Sequence, residues 1–383
     1  MRIAIDGTPI QQTDPPGVSR YTYNLVEALA KTVLTDDELV VFYDPGKATG
    51  QQRIEDLTEL PQVMLRPISG TGGVRGAFSA LNTLRQLEVD VFHSPYALSH
   101  LLTNVPSVIT IHELSEFEPT LRKGMRGRLS QLTLSAEMNL LRRAGAVICV
   151  SHAVRHRLLD NVDLDPDKVH VVYNGVDHRR FHPRYRPEAR KRAALMLGIE
   201  PPYVLALASP DPRKNTAGVL RAYARLPREG LPKLVLAGAG EWGRSPLYKL
   251  VEELHLEEMV RFTGYVPDAI LPDLYSGARL FVFPSLYEGF GLPVLEALAC
   301  AAPVITSNRG GIPEVAGDAA VLVDPDDLDA LAAAMEKALT DKAWRDELRL
   351  RGPGQAARFS WERTARETRD VYATLVGEPV ERW

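Results

Sequence analysis

Short runs of apolar, mostly β-branched residues end in Gly, Pro or polar punctuation and alternate with longer stretches whose apolar positions recur at helical spacing. In the first half the runs are Ile3–Ile5, Leu39–Tyr43, Val89–His93, Ser107–His112, Ala146–Val150 and Val169–Tyr173, with helix-like stretches such as Ser19–Lys31 and Arg128–Arg143 between them. The runs do not alternate with polar residues, so they predict strands buried on both faces of a parallel sheet. Strand–helix alternation predicts an α/β sheet with helices on both faces. The pattern breaks after Tyr173-Asn174-Gly175-Val176-Asp177. His178 to Arg192 is rich in Arg, His and Pro and reads as a hinge, with a helix following. The alternation restarts with strands at Tyr203–Ala208, Lys233–Ala237, Val260–Thr263, Leu280–Pro284, Pro303–Thr306 and Ala320–Val323. The expectation is two doubly wound α/β domains, roughly 1–180 and 185–360, with a helical tail over 361–383 packing back on the first domain.

A chain of 383 residues is long for one core and comfortable for two. Its formal net charge of -4 argues against a dedicated nucleic-acid binder. Both cysteines, Cys149 and Cys300, lie in apolar stretches and read as buried thiols. No residues have metal-ligand spacing. The start, M-R-I-A-I-D-G-T-P-I, is too short an apolar run for a signal peptide, and no stretch reaches the ~20 apolar residues of a membrane span. A cytoplasmic location is expected.

One glycine run needs separating from the rest. G-A-G-E-W-G, Gly238 to Gly243, fits G-x-G-x-x-G between a strand and the helical pattern S-P-L-Y-K-L-V-E-E-L. A dinucleotide fingerprint also needs an acid ending the next strand. That strand instead runs into Gly264-Tyr265-Val266-Pro267, and Asp268 lies beyond the proline. An ordinary glycine turn in a nucleotide-handling sheet fits better.

The richest segment is S-L-Y-E-G-F-G-L-P-V-L-E-A-L, Ser285 to Leu298, between a strand and a helix. Pro293 suits a first helical turn. The amides of Gly289, Phe290, Gly291 and Leu292 would then form a phosphate seat at a helix N-terminus. Glu288 before the helix and Glu296 within it can each hold sugar hydroxyls; a helix N-terminal acid plus a surface acid is the plainer alternative. In S-P-D-P-R-K-N, Ser209 to Asn215, Arg213 and Lys214 stand where cations would neutralise a diphosphate, or form a solvated basic turn. P-P-G-V-S-R-Y-T places Gly17 in another strand-to-helix turn, suited to phosphate approach or to plain connection. His112 and His93 each end a first-domain strand; either can be a donor toward an acceptor or a developing charge, or a structural group.

Taken together these elements resemble the family-4 retaining glycosyltransferases, whose GT-B architecture sets two Rossmann-like domains facing each other across a cleft. The resemblance rests on E-G-F-G-L-P-V-L-E, Glu288 to Glu296, which is similar to that family's E-x7-E signature. It also rests on G-V-S-R-Y-T-Y-N-L, Y-N-G-V-D, D-P-R-K-N, F-T-G-Y-V and G-G-I-P-E-V-A-G-D-A-A. G-V-S-R-Y and D-P-R-K-N look most like bacterial mannosyltransferases of polysaccharide assembly. The resemblance implies an acceptor-side first domain and a nucleotide-sugar-binding second domain. It implies Glu288 on the transferred sugar, Glu296 on the ribose, and Phe290, Gly291 and Leu292 on the diphosphate. It further implies Lys214 as the diphosphate lysine, His112 near the transferred sugar, and Val266 near the base. The family's Gly-Arg loop opening is replaced here by Ala208-Ser209, with Arg213 as the substitute cation.

The implied reaction moves a hexose, from GDP-mannose foremost, to a hydroxyl of a glycan or lipid-linked acceptor with retained configuration. It needs no metal and no cofactor beyond the nucleotide-sugar donor. A nucleotide-sugar epimerase, a glycan phosphorylase or a non-catalytic nucleotide-sugar-binding protein are the rival readings. Leu121–Arg143, with six basic residues and one acid, suits peripheral contact with an anionic membrane, a solvated helix face or an acceptor-phosphate patch.

Overall fold

A computed structural model describes residues 1–12, 16–33, 37–47, 49–68, 83–84, 86–96, 105–114, 141–238 and 245–378. The basic stretch at 121–140, and Gly238–Gly243 beyond its first residue, lie outside these. The chain divides into two compact units, Met1–Gly175 with Ser360–Trp383, and Val176–Phe359.

The first unit is built on a parallel sheet of β1 (Arg2–Asp6), β2 (Glu38–Tyr43), β3 (Val63–Pro67), β4 (Val91–Ser94), β5 (Ser107–Ile111), β6 (Ala146–Cys149) and β7 (Val169–Val171), in the order β3-β2-β1-β4-β5-β6-β7. The inner strands are buried along almost their whole length, as consecutive apolar residues require. The edge strand β3 was not expected. It lies half exposed, so V-M-L-R-P carries no continuous apolar run, and an edge tolerates its terminal proline.

The helix Trp361–Val376 belongs to this unit. Ser360 caps it by accepting from the Arg363 amide at 3.1 Å. Thr364 Oγ1 donates to Tyr173 O (2.7 Å), and Arg369 Nε pairs with the nearly buried Asp37 (2.9 Å). Its Tyr372 hydroxyl meets His93 Nδ1 at 2.5 Å, while His93 Nε2 meets Thr110 Oγ1 at 2.8 Å. With both nitrogens engaged inside the core, His93 is structural, and burial lowers its pKa to about 3.

The second unit carries β8 (Tyr203–Leu207), β9 (Lys233–Ala237), β10 (Val260–Gly264), β11 (Leu280–Phe283), β12 (Val304–Ser307) and β13 (Val321–Val323), all parallel, in the order β10-β9-β8-β11-β12-β13. Leu220, Leu234, Val282, Ile305 and Met335 anchor its core. The helix expected after the hinge segment begins inside it, as Arg186–Leu197, packed against the helix Leu271–Gly277, so that 178–185 is the irregular part. Arg186 and Arg190 mask the apolar periodicity because their heads reach the carbonyls of Ala278 and Gly277 instead of water. No helix among the described residues is long and apolar enough to cross a membrane.

Candidate functional site

In an open parallel sheet, ligands sit beyond the carboxyl ends of the strands where the strand order reverses. In the second unit that point lies between β8 and β11, and the loops after these strands carry Ser209–Asn215 and Ser285–Gly291.

The first loop is built by its own acid. Asp211 accepts from the Arg213 amide (2.9 Å), shaping the turn Pro212–Lys214, and its other oxygen holds Arg213 Nε at 3.2 Å. Asn215 then takes a left-handed conformation (φ 54°) and caps the helix Thr216–Tyr223 through the Gly218 amide. Its side-chain nitrogen donates to Pro284 O (3.1 Å) and Pro325 O (2.9 Å). Ser209 is internal to the loop: its amide donates to Thr216 Oγ1 and its hydroxyl accepts from the Asp211 amide.

The second loop is fastened to the first. The Leu286 amide donates to Arg213 O (2.8 Å), and Arg213 Nη1 donates to Tyr287 O (3.3 Å). Lys214 Nζ bonds Glu288 Oε1 at 2.6 Å, and Arg213 Nη1 stands 4.0 Å from Glu288 Oε2. Lys214 also lies 5.7 Å from the Phe283 ring centroid. Glu288 is 7% exposed, and a carboxylate so enclosed requires these cations. From behind, the loop after β12 grips its backbone: the Gly311 amide donates to Glu288 O at 2.9 Å.

Gly291 (φ 103°) turns the chain into the helix Leu292–Ala299, and no side chain caps that end. With a glycine cap and Pro293 in the first turn, this N-terminus can accept an external anion. Gly289 and Phe290 lead into it, Phe290 buried against Phe359. Glu296, 4% exposed, lies in that helix and accepts from Tyr275 Oη at 3.2 Å. The adjacent Cys300 thiol is pushed up to about 12 by burial and then by Glu296. Val266 follows β10, two strands away from β8.

The structure thus brings Arg213, Lys214 and Glu288 into contact, with Glu296 in the helix that Glu288's loop begins. His112 and Gly17 belong to the first unit. Gly17 lies in the first turn of the helix Pro16–Ala28, with open space where a Cβ would stand. His112 follows β5, packs edge-on to Tyr21 (4.6 Å between centroids), and donates from Nε2 to Pro95 O at 2.8 Å. A carbonyl only accepts, so the neutral ring carries its lone pair on Nδ1, which makes it an acceptor and not the donor expected from sequence. Burial lowers its pKa to about 4, which keeps it neutral. Sequence reasoning did not single out Asp211, Asn215, Tyr275 or Gly311. Asn215 and Gly311 stand inside the quoted strings D-P-R-K-N and G-G-I-P-E, where Asn and paired glycines signal turns.

Comparison with known proteins places these features in a family. Residues 15–180 match the model "Glycosyltransferase Family 4", and residues 188–355 match "Glycosyl transferases group 1". The chain is 36% identical over 377 residues to the O-antigen chain mannosyltransferase B of Escherichia coli, covering 94% of this chain and 96% of that one. It is 33% identical over 238 residues to the serotype-specific mannosyltransferase WbdA of Escherichia coli, covering 61% of this chain but 29% of the longer relative. The structure of sucrose-phosphate synthase from Thermosynechococcus elongatus superposes with a TM-score of 0.76 at 22% identity, covering 98% of this chain and 99% of that one. The two parallel-sheet units are those of the GT-B fold, and the chain belongs to the group 1 and family 4 glycosyltransferases.

Proposed function

We propose that this glycosyltransferase moves mannose from GDP-mannose to a hydroxyl of a glycan or lipid-linked acceptor, with retention and without a metal ion. The observation that carries the reading is the Lys214–Glu288 pair, 2.6 Å apart at the switch point between β8 and β11. A cation and an acid held together there serve the two halves of one ligand. Lys214 turns to the diphosphate and Glu288 to the hexose hydroxyls. Glu296 takes the ribose, Val266 lies by the base, and the amides of Gly289, Phe290, Gly291 and Leu292 meet the phosphates. Arg213, steadied by Asp211, shares the charge of the departing diphosphate with Lys214, which is why no divalent cation is required. Ser209 shapes that loop, Gly17 allows close approach to the phosphates, and His112 accepts from a sugar hydroxyl through Nδ1. Attack is front-face, with a donor phosphate oxygen taking the acceptor's proton. The choice of mannose rests on the names of the Escherichia coli relatives. A lipid-linked acceptor would bring the protein to the inner face of the cytoplasmic membrane, with 121–143 as the contact.

The test is nucleoside diphosphate release from a panel of GDP-, UDP- and ADP-sugars with chelator present, and the anomeric configuration of the product by NMR. Lys214→Ala should lower kcat/KM by about 2–4 kcal/mol of transition-state stabilisation, as loss of an oxyanion donor does. Near-normal turnover in that variant, or turnover abolished by chelator, would sink this reading.

A further inference from the structure

At the amino ends of β8 and β11, the opposite end of the sheet from Lys214 and Glu288, five arginines gather. Arg186 and Arg190 come from the helix Arg186–Leu197, Arg279 immediately precedes β11, and Arg345 and Arg349 lie one turn apart on the helix Lys342–Ala356. Their acceptors are backbone carbonyls. Arg186 Nη2 donates to Ala278 O (3.1 Å), Arg190 Nε to Gly277 O (2.9 Å), and Arg279 Nη2 to Leu339 O (2.7 Å). Arg345 Nη1 donates to Ala338 O (2.7 Å) and Leu339 O (3.2 Å).

These carbonyls close two helices and carry only partial negative charge, far less than five guanidinium groups bring. The carboxylate among them is Asp346, and Lys342 already holds it at 2.5 Å. Asp273 is engaged by Arg192 (2.9 Å) and Arg184 (3.8 Å). Burial first, and then mutual repulsion, lowers the pKa of Arg186 to about 10 and depresses that of Arg279; burial also depresses Arg349, with Asp346 opposing and Arg190 and Arg345 adding to it. Three N–H sites, Arg186 Nε, Arg279 Nε and Arg349 Nη1, are shut from solvent with no acceptor among the described residues. Buried donors are seldom left so. Arg186, Arg190, Arg279 and Arg349 are only partly buried, so the cluster can be reached.

We propose that this cluster binds a phosphate group, separately from the loops of Lys214 and Glu288. Arginine forks match phosphate oxygens in bidentate pairs and keep their charge when desolvated, which lysines in the same place would not. The phosphate belongs to a soluble phosphorylated metabolite or to a lipid headgroup.

Sodium pyrophosphate is the probe, with melting temperature followed against sodium chloride of equal ionic strength. It should raise the melting temperature of the unmodified protein and of Lys214→Ala. In Arg186→Gln and Arg349→Gln, each made in the Lys214→Ala background to weaken the diphosphate seat, the shift should fall by at least half. Arg349 makes none of the carbonyl bonds above, so Arg349→Gln leaves the helix ends capped and should melt no lower than the parent without phosphate. Sedimentation with phosphatidylglycerol vesicles separates the sources. Binding that is lost in Arg349→Gln assigns the lipid headgroup; a pyrophosphate shift without vesicle binding assigns the soluble ligand. A shift no larger than chloride produces, or one that survives in both arginine variants, would overturn the proposal.

Discussion

Gly310→Ala tests the backbone clamp behind Glu288. Gly310 has φ 61°, and a Cβ there would stand 2.2 Å from Glu288 O and 3.2 Å from Glu288 C and N. A left-handed alanine costs about 1–2 kcal/mol. The clash is with backbone, so no rotamer relieves it, and the two strands of loop must part by on the order of 1 Å. That displacement breaks the Gly311–Glu288 hydrogen bond, a further net loss of about 1 kcal/mol. The second unit should therefore lose about 2–4 kcal/mol, a drop of roughly 5–15 °C in melting temperature at 2–4 °C per kcal/mol for a unit of this size. If Glu288 contacts the transferred sugar, its misplacement should also cost about 10²-fold in kcat/KM. Calorimetry gives the first quantity, and nucleoside diphosphate release well below the melting point gives the second. Gly230→Ala is the control, having φ 68° and nothing within 4 Å of a Cβ. It should show the backbone strain alone, with turnover unchanged. If Gly310→Ala matched this control in both stability and turnover, the clamp on Glu288 would be refuted.

Three further outcomes are expected. Gly17→Ala meets open space in a helix, so it should stabilise by about 0.5–1 kcal/mol, yet lower kcat/KM if the donor phosphates pass close to Gly17; unchanged kinetics would remove Gly17 from the site. His93 (about 3) and His112 (about 4) sit below the unfolded value of 6.5, so the unfolded chain binds protons that the native one refuses. Stability should therefore fall as pH drops below about 6.5, by about 1.4 kcal/mol per pH unit for each histidine, until the folded pKa is reached. Urea unfolding at pH 7.5 and 5.5 should show a shallower dependence for His93→Asn, and equal slopes would contradict this. Burial pushes the Cys149 and Cys300 thiols up to about 12, so neither should react with a thiol reagent until denaturant is added; prompt labelling of the native protein would be the contrary result.

Much of the fold was legible because a strand buried on both faces must be apolar throughout. β8 and β11 needed no other clue than Y-V-L-A-L and L-F-V-F. β3 escaped because an edge strand is covered on one side only. The start of the helix Arg186–Leu197 was placed too late because Arg186 and Arg190 spend their charge on carbonyls of Ala278 and Gly277, distant in sequence, and so read as solvated punctuation. In the site, the helix start at Gly291-Leu292-Pro293 is local chemistry and could be read directly. Asp211 on Arg213 is equally local, but an acid beside a base has too many plain explanations to stand out. Tyr275 on Glu296 and Gly311 on Glu288 join elements that only packing brings together.

By itself, then, the chain's pattern determined the alternation of strand and helix, the two-unit α/β class, and the glycine-opened helix flanked by two acids. These follow from periodicity and capping, which act over a few residues. Only the tertiary structure decided that Lys214 meets Glu288, that Arg213 is held by both loops, and that five arginines share the far end of the same strands. Strand periodicity says which faces are buried but not which strand lies alongside. β8 reaches β11 across the two intervening strands because the sheet reverses its order there.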